Sequence, residues 1–430
     1  MLRDRCCRNA GAGGGRRRPV PERQAVAVRA PVLSDIPRPA PDEIEPELHP
    51  ALTDFLAGHD AATATIAEAL TAGSRLHHAW LLTGPRGIGK ATLAYHFART
   101  LLDRTDATAP VAEPAGLFGE EMPPVTDAGV GAEAGAGAGA GTLHADADSP
   151  LFQQVAQGAH PNMMILRRAW NHERKRYNRD ISVDDVRRLT GFLGQRANLT
   201  GRRRVVLVDA ADDMNRNAAN ALLKPLEEPP ADTVFLLVCH APGRLLPTIR
   251  SRCRRLALTA PTLAAARDVL HRRMPSIDEP TTDLLLALSD NAPGRALRLH
   301  DAGGAELYGQ LRSALSELPA MSRGTAQTLA AMTGTAGNKG EAEFALLMDL
   351  LSGFLGRLIR GGGEDVPALS DEREIRARLR GASLDPWFEV WDNLARLRER
   401  TGAVNLNRKA VTLSIFSSME DAARKAAAGH

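Results

Sequence analysis

The chain is short of cysteine, net charge and long apolar runs, and each shortage removes a class of function. Its four cysteines, Cys6, Cys7, Cys239 and Cys253, form no CxxC pair and lack histidines at metal-ligand spacing, which argues against zinc and against a secreted disulfide framework. Lysine and arginine number 54 against 51 acidic residues, a net charge of +3, so any contact with nucleic acid must be local. No apolar run approaches the ~20 residues of a membrane span. The N-terminal arginines are separated by Gly and Ala rather than by an apolar core, which fails as a signal peptide. A soluble cytoplasmic protein is expected, and its 430 residues leave room for two or three domains.

What the sequence does contain is organised around Ala79-Trp80-Leu81-Leu82-Thr83-Gly84-Pro85-Arg86-Gly87-Ile88-Gly89-Lys90-Ala91-Thr92. An apolar run stops at a glycine-rich turn and restarts as a helical pattern with Leu93, Phe97, Leu101 and Leu102 on one face. In such a loop Gly84, Gly87 and Gly89 allow successive N–H groups to turn inward. With the helix N-terminus and the Lys90 ammonium they can surround a polyphosphate. Seven of the eight positions of G-x-x-x-x-G-K-[ST] fit, but Ala91 stands where a hydroxyl would ligand Mg²⁺. Thr92 comes one residue late, turned by ~100° around the helix. The fold signal is intact and the catalytic signal is damaged; a tight strand-to-helix turn that binds nothing is the competing reading.

Around this stretch, residues 1–42 read as a disordered Arg/Pro/Gly/Ala tail, with ordered structure starting at about 43. Residues 104–148, with their Ala-Gly repeats, read as a low-complexity surface insertion. Met163 to Leu166 predicts a second strand, and Arg174-Lys175-Arg176-Tyr177 a solvated basic connection. Ser182 with Asp185 forms a capping box before the stripe Val186, Leu189, Phe192 and Leu193. Val205 to Val208 predicts a buried parallel strand ending in Asp209, whose carboxylate belongs in the Mg²⁺ shell of a nucleotide hydrolase. The next residue is Ala210, and no carboxylate follows until Asp212, so the water-orienting acid is missing too. A helix from Asn217 to Glu228, a strand from Val234 to Cys239 and a last strand near Leu256 complete a doubly wound α/β domain over about 43–258. Beyond Pro261 the pattern is helical. Two amphipathic helices are clear in the tail, one with Phe344 to Leu358 as its apolar face. The other has Asp385 as its cap and lines up Trp387, Trp391 and Leu394 as core.

With its phosphate loop, Asn220-Ala221-Leu222-Leu223-Lys224-Pro225-Leu226-Glu227-Glu228-Pro229-Pro230 and Pro247-Thr248-Ile249-Arg250-Ser251-Arg252-Cys253 in this order, the chain resembles the bacterial clamp-loader AAA+ subunits over about 48–300. That resemblance implies a P-loop AAA+ doubly wound sheet, a helical lid at 259–303 and an all-α collar at 304–430 that joins subunits in a ring. It also implies that Arg252 is an arginine finger, reaching in trans to a neighbour's nucleotide. Gly84, Gly87, Gly89, Lys90, Ala91, Thr92, Asp209 and Arg295 become the candidate nucleotide contacts for ATP or ADP, with no zinc and no other metal assigned. The expected partners are the tau/gamma and delta subunits of the ring, the sliding clamp, and primed DNA through the assembled complex. The replacements at Ala91 and Ala210 place the chain on the delta-prime side of the family, which keeps the finger but often lacks a working site. The absent zinc module is a departure from many members, and the 104–148 segment sits where it would be. An ATP-hydrolysing clamp-loader chain of tau/gamma type, another AAA+ ATPase acting on DNA, or a purely structural adaptor are the alternatives.

Overall fold

In the computed structural model, the described residues are 49–71, 76–103, 143, 146–171, 173, 176–194, 203–335, 337–361, 367–404 and 406–428. The expected tail at 1–42 and residues 104–142 of the expected insertion lie outside them, as do Arg174 and Lys175 of the basic stretch.

The first half of the chain alternates helices and strands. In order these are α1 (Asp60–Thr71), β1 (Ala79–Thr83), α2 (Lys90–Asp103), α3 (Pro150–Ala156), β2 (Met163–Leu166), β3 (Trp170–Asn171) and β4 (Arg176–Tyr177). They continue with α4 (Val183–Gly194), β5 (Arg204–Val208), α5 (Arg216–Glu227), β6 (Thr233–Cys239), α6 (Pro247–Arg252) and β7 (Arg254–Ala257). Five of the strands form one parallel sheet in the order β2-β5-β6-β1-β7. Every residue of β1 and β6 is buried, as continuous apolar runs must be when helices cover both faces. Alternate side chains go to opposite layers: Trp80, Leu82, Leu207 and Leu236 pack with Leu93, Phe97 and Leu101 of α2, while Leu81, Val208, Phe235 and Leu237 pack with Leu189 of α4 and Leu222 of α5. The capping box is formed as read, with the Asp185 carboxylate accepting from the Ser182 N–H at 2.9 Å and Ser182 Oγ accepting from the Asp185 N–H at 3.3 Å.

Among the described residues the chain after β7 is entirely helical: α7 (Leu263–Arg273), α8 (Glu279–Leu288), α9 (Pro293–Asp301), α10 (Gly304–Ser316), α11 (Arg323–Thr333), α12 (Asn338–Arg360), α13 (Ser370–Arg380), α14 (Asp385–Val404) and α15 (Arg408–Ala428). A single apolar cluster runs from Ala266 and Leu270 through Leu311 and Leu351 to Met419 and Ala426. The helices on either side of Gly303 therefore share one core.

Several local expectations are corrected. Order returns earlier than His160, because α3 is capped by Ser149, whose Oγ accepts from the Phe152 N–H at 3.1 Å, and Phe152 and Val155 are buried. Leu143, near the end of the insertion, is buried, and its carbonyl accepts from His96 Nδ1 at 3.0 Å. Tyr177 is not part of a solvated connection. It is buried in the β3–β4 hairpin with its ring edge-on to Trp170 at 5.1 Å. Asp385 opens α14 rather than preceding it, and its N–H donates to Ser383 Oγ at 3.1 Å. Trp387 is fully buried as expected, but Trp391 is 46% exposed. The buried stripe of α14 is set by Trp387, Val390 and Leu394, and the residue after Val390 is carried ~100° around the helix, off that stripe.

Candidate functional site

Parallel register brings the ends of four strands to one edge. Thr83 pairs with Cys239, Val208 with Leu237 and Leu166 with Val208, so the residues that follow, Gly84, Arg167, Asp209 and His240, emerge side by side. This is the carboxyl edge of the sheet, where the crevice of an open α/β fold lies. The cavity there, of about 200 Å³, is lined by the phosphate loop, the starts of the loops after β2, β5 and β6, residues 49–59, and the facing sides of α7 and α9.

The loop is built as its sequence requires. Gly84, Gly87 and Gly89 have φ of +150°, +82° and +102°. At Gly87 the constraint is spatial as well. Its carbonyl accepts from the Gly294 N–H at 2.8 Å, and a Cβ would come within 2.6 Å of the Arg295 N atom, so only glycine lets α9 sit this close. Lys90 is 2% exposed, and its Nζ donates to the carbonyls of Gly84, at 2.8 Å, and Pro85. Burial pulls the Lys90 pKa down to about 8, although Asp209 and Asp212 oppose the shift.

Of the sequence-derived contacts, Gly87, Gly89, Lys90, Ala91, Thr92 and Asp209 line the cavity. Gly84 instead shapes the exit of β1 and accepts from Lys90. Arg295 is displaced from its expected place. Its backbone abuts the loop, its guanidinium lies 3.6 Å from Asp290, and Arg298, nearly one turn on, lines the cavity. Asp212 faces elsewhere, accepting from the N–H groups of His240 at 2.8 Å and Ala241 at 3.1 Å. Burial alone would raise this carboxyl, yet those bonds hold it below the ordinary range. It is a brace between the loops after β5 and β6, with no catalytic position.

Sequence reasoning missed the other half of the lining. Arg167 and Arg168 follow β2, His240 follows β6, and Arg273 and Arg298 come from α7 and α9. His49 and Thr53 arrive because the buried Arg99 of α2 donates to the carbonyls of Ala51 and, at 3.2 Å, Thr53. Burial and Arg167 push the His49 pKa down to about 4. Burial, then Lys90 and Arg86, push that of His240 down to about 3, so both rings are neutral at physiological pH. A strand-end rule would have found Arg167 and His240, but no local motif marks Arg273 and Arg298.

Arg252 is not among the residues lining this cavity. It ends α6 on the outside of the body, with Nη2 2.6 Å from Glu227 Oε1 and Nη1 donating to the Thr248 carbonyl at 2.8 Å.

A family described as DNA polymerase III, delta subunit, matches residues 137–262. The delta' subunit of DNA polymerase III from Pseudomonas aeruginosa is 41% identical over 243 residues, 56% of this chain and 61% of that protein. The Escherichia coli delta' subunit is 39% identical over 147 residues, 34% of this chain and 42% of that one. Over these stretches the chain is similar to DNA polymerase III subunits of the delta' type. The chain is also similar to the tau subunit of Salmonella typhimurium, at 27% identity over 341 residues, 75% of this chain and 46% of the relative. The match thus spans 61% of the Pseudomonas protein and less than half of the other two. The α/β body, with its parallel order β2-β5-β6-β1-β7 and phosphate loop after β1, has the AAA+ fold. Among the described residues no helix is long and apolar enough to cross a membrane.

Proposed function

We propose that the chain is the delta-prime type of clamp-loader subunit: it does not hydrolyse ATP itself, and it supplies Arg252 to the nucleotide site of a neighbouring subunit while the assembly loads a sliding clamp on primed DNA. The observation that carries this reading is the placement of Arg252 outside the chain's own cavity, on the surface, in the Ser251-Arg252-Cys253 triplet. A permanently charged planar guanidinium suits bidentate contact with a γ-phosphate, and supplying it in trans makes hydrolysis depend on assembly. The chain's own site supports the other half of the reading, since Ala91 has no hydroxyl for Mg²⁺ and Ala210 no carboxylate to orient water. Partners are then tau/gamma and delta subunits in a ring, with α10 to α15 as the assembly region. The test is a loader reconstituted with Arg252→Ala, assayed for DNA-stimulated ATP hydrolysis and clamp loading; wild-type rates overturn the reading.

A second reading, an ATP-hydrolysing subunit of tau/gamma type, is favoured by the match to a tau subunit over 75% of this chain. Steady-state turnover by the purified chain separates the two.

A further inference from the structure

The cavity beside the phosphate loop is built for negative charge but not for a metal ion. Magnesium needs oxygen donors. Asp209 lines the cavity, but Ala91, at the loop position that would share the ion with it, offers only a methyl group; Asp213 is ion-paired with Arg168 at 3.2 Å, and Asp212 uses both carboxylate oxygens on backbone N–H groups. Among the described residues no group of three or more His, Cys, Asp or Glu is arranged to hold a metal ion. The cation does not fit.

A polyphosphate does fit. Arg86, Lys90, Arg167, Arg168, Arg273 and Arg298 line the cavity against only two carboxylates, Asp209 and Asp213. They surround the loop amides and the N-terminus of the 14-residue α2, both of which attract anions. Across the cavity, Phe55, Leu56, Val269 and Leu297 provide an apolar wall for a base. The depressed pKa values of Lys90, His49 and His240, caused first by burial and then, for the histidines, by these cations, fit a cavity of positive potential.

The geometry points to a site that takes the polyphosphate chain of a nucleotide without a divalent cation, with Arg86, Arg167, Arg168 and Arg298 in place of the metal's charge. Guanidinium forks can neutralise and hydrogen-bond phosphate oxygens, but they provide no coordination shell to organise an attacking water. Such a site holds nucleotide without cleaving it. This deepens the non-hydrolysing reading of the pocket and is independent of the role given to Arg252.

Calorimetric titration of the full chain with ATP, and separately with inorganic tripolyphosphate, in MgCl₂ or in excess EDTA, tests it. ATP is expected to bind in EDTA with a Kd within ~3-fold of that in magnesium, and more tightly than tripolyphosphate because of the apolar wall. Arg168→Ala and Arg298→Ala, each checked for folding by circular dichroism, are expected to weaken binding in EDTA by ~10-fold or more. Loss of ATP binding in EDTA by more than ~10-fold, absence of ATP binding in both buffers, or binding of tripolyphosphate without ATP overturns the proposal. Turnover of ATP in magnesium overturns the non-hydrolysing reading instead, so the two failures are distinguishable.

Discussion

Arg252 Nη2 lies 2.6 Å from Glu227 Oε1, joining the end of α6 to the end of α5 on the surface of the α/β body. Both side chains are partly exposed, at 34% and 46%, so the pair contributes at most about 1 kcal/mol to folding. Arg252→Ala and Glu227→Gln should therefore leave the melting temperature nearly unchanged.

Function should respond very differently to Arg252. An arginine supplied in trans can be worth ~10³-fold or more at the one site it serves, so Arg252→Ala is expected to abolish hydrolysis there. The loss in total ATPase of a reconstituted loader is smaller, because other sites keep their own arginines. Arg252→Lys should rescue poorly, having no bidentate fork.

The isolated chain is expected to turn over ATP far below ~1 per second, the low end of ordinary enzymatic rates. Ala91→Thr should not restore it, because Ala210 still offers no carboxylate and Asp212 remains held by His240 and Ala241. A phosphate-release assay on wild type and variant decides this.

Lys90 links the site to pH. Its folded pKa is lowered from 10.5 to about 8, so between those values the ammonium is mostly lost in the free protein although an unfolded chain would keep it. Binding a polyanion favours the charged form, so affinity is full below about pH 8 and declines as pH rises above it. Titrations at pH 7.5 and pH 9 should differ by up to ~10-fold, with weaker binding at the higher pH.

In the helical half, Glu372 is 1% exposed and accepts from the Tyr308 hydroxyl at 2.5 Å and from Arg357 at 2.7 and 2.8 Å, with Arg376 Nε at 3.1 Å. Glu372→Ala leaves two buried guanidinium groups without their carboxylate and should cost about 3–5 kcal/mol. Glu372→Gln keeps an acceptor and should cost less. Chemical denaturation of the three proteins measures the difference.

Where one local rule settled the outcome, the sequence was enough. The runs at Ala79–Thr83 and Val205 to Val208 could only be strands covered on both faces, and Ser182 with Asp185 could only start a helix there. Legibility failed where position depends on the register of distant strands. Arg167 and His240 can be read as the residues that follow two strands, but that those strand ends share one edge depends on Leu166 pairing with Val208 and Thr83 with Cys239, pairings that no window of neighbouring residues encodes. The six helices from Gly304 to Ala428 were only partly readable, because segments such as Arg408–Ala428 are rich in small and polar residues and acquire an apolar face only through their neighbours. Arg295 failed for a finer reason: α9 presents its backbone to the loop, which turns the next turn's Arg298 inward and leaves Arg295 to Asp290.

The hydrogen bond from the Gly294 N–H to the Gly87 carbonyl has mechanical reach. Gly87 is the midpoint of the phosphate loop, and Gly294 is in the first turn of α9, whose Ala296, Leu297 and Leu299 belong to the apolar cluster that continues to Ala426. A close-packed interior transmits displacement rather than absorbing it. The phosphate loop and the helical core are therefore tied at one peptide group, and the loop cannot be displaced at Gly87 without either breaking that bond or carrying the first turn of α9 with it.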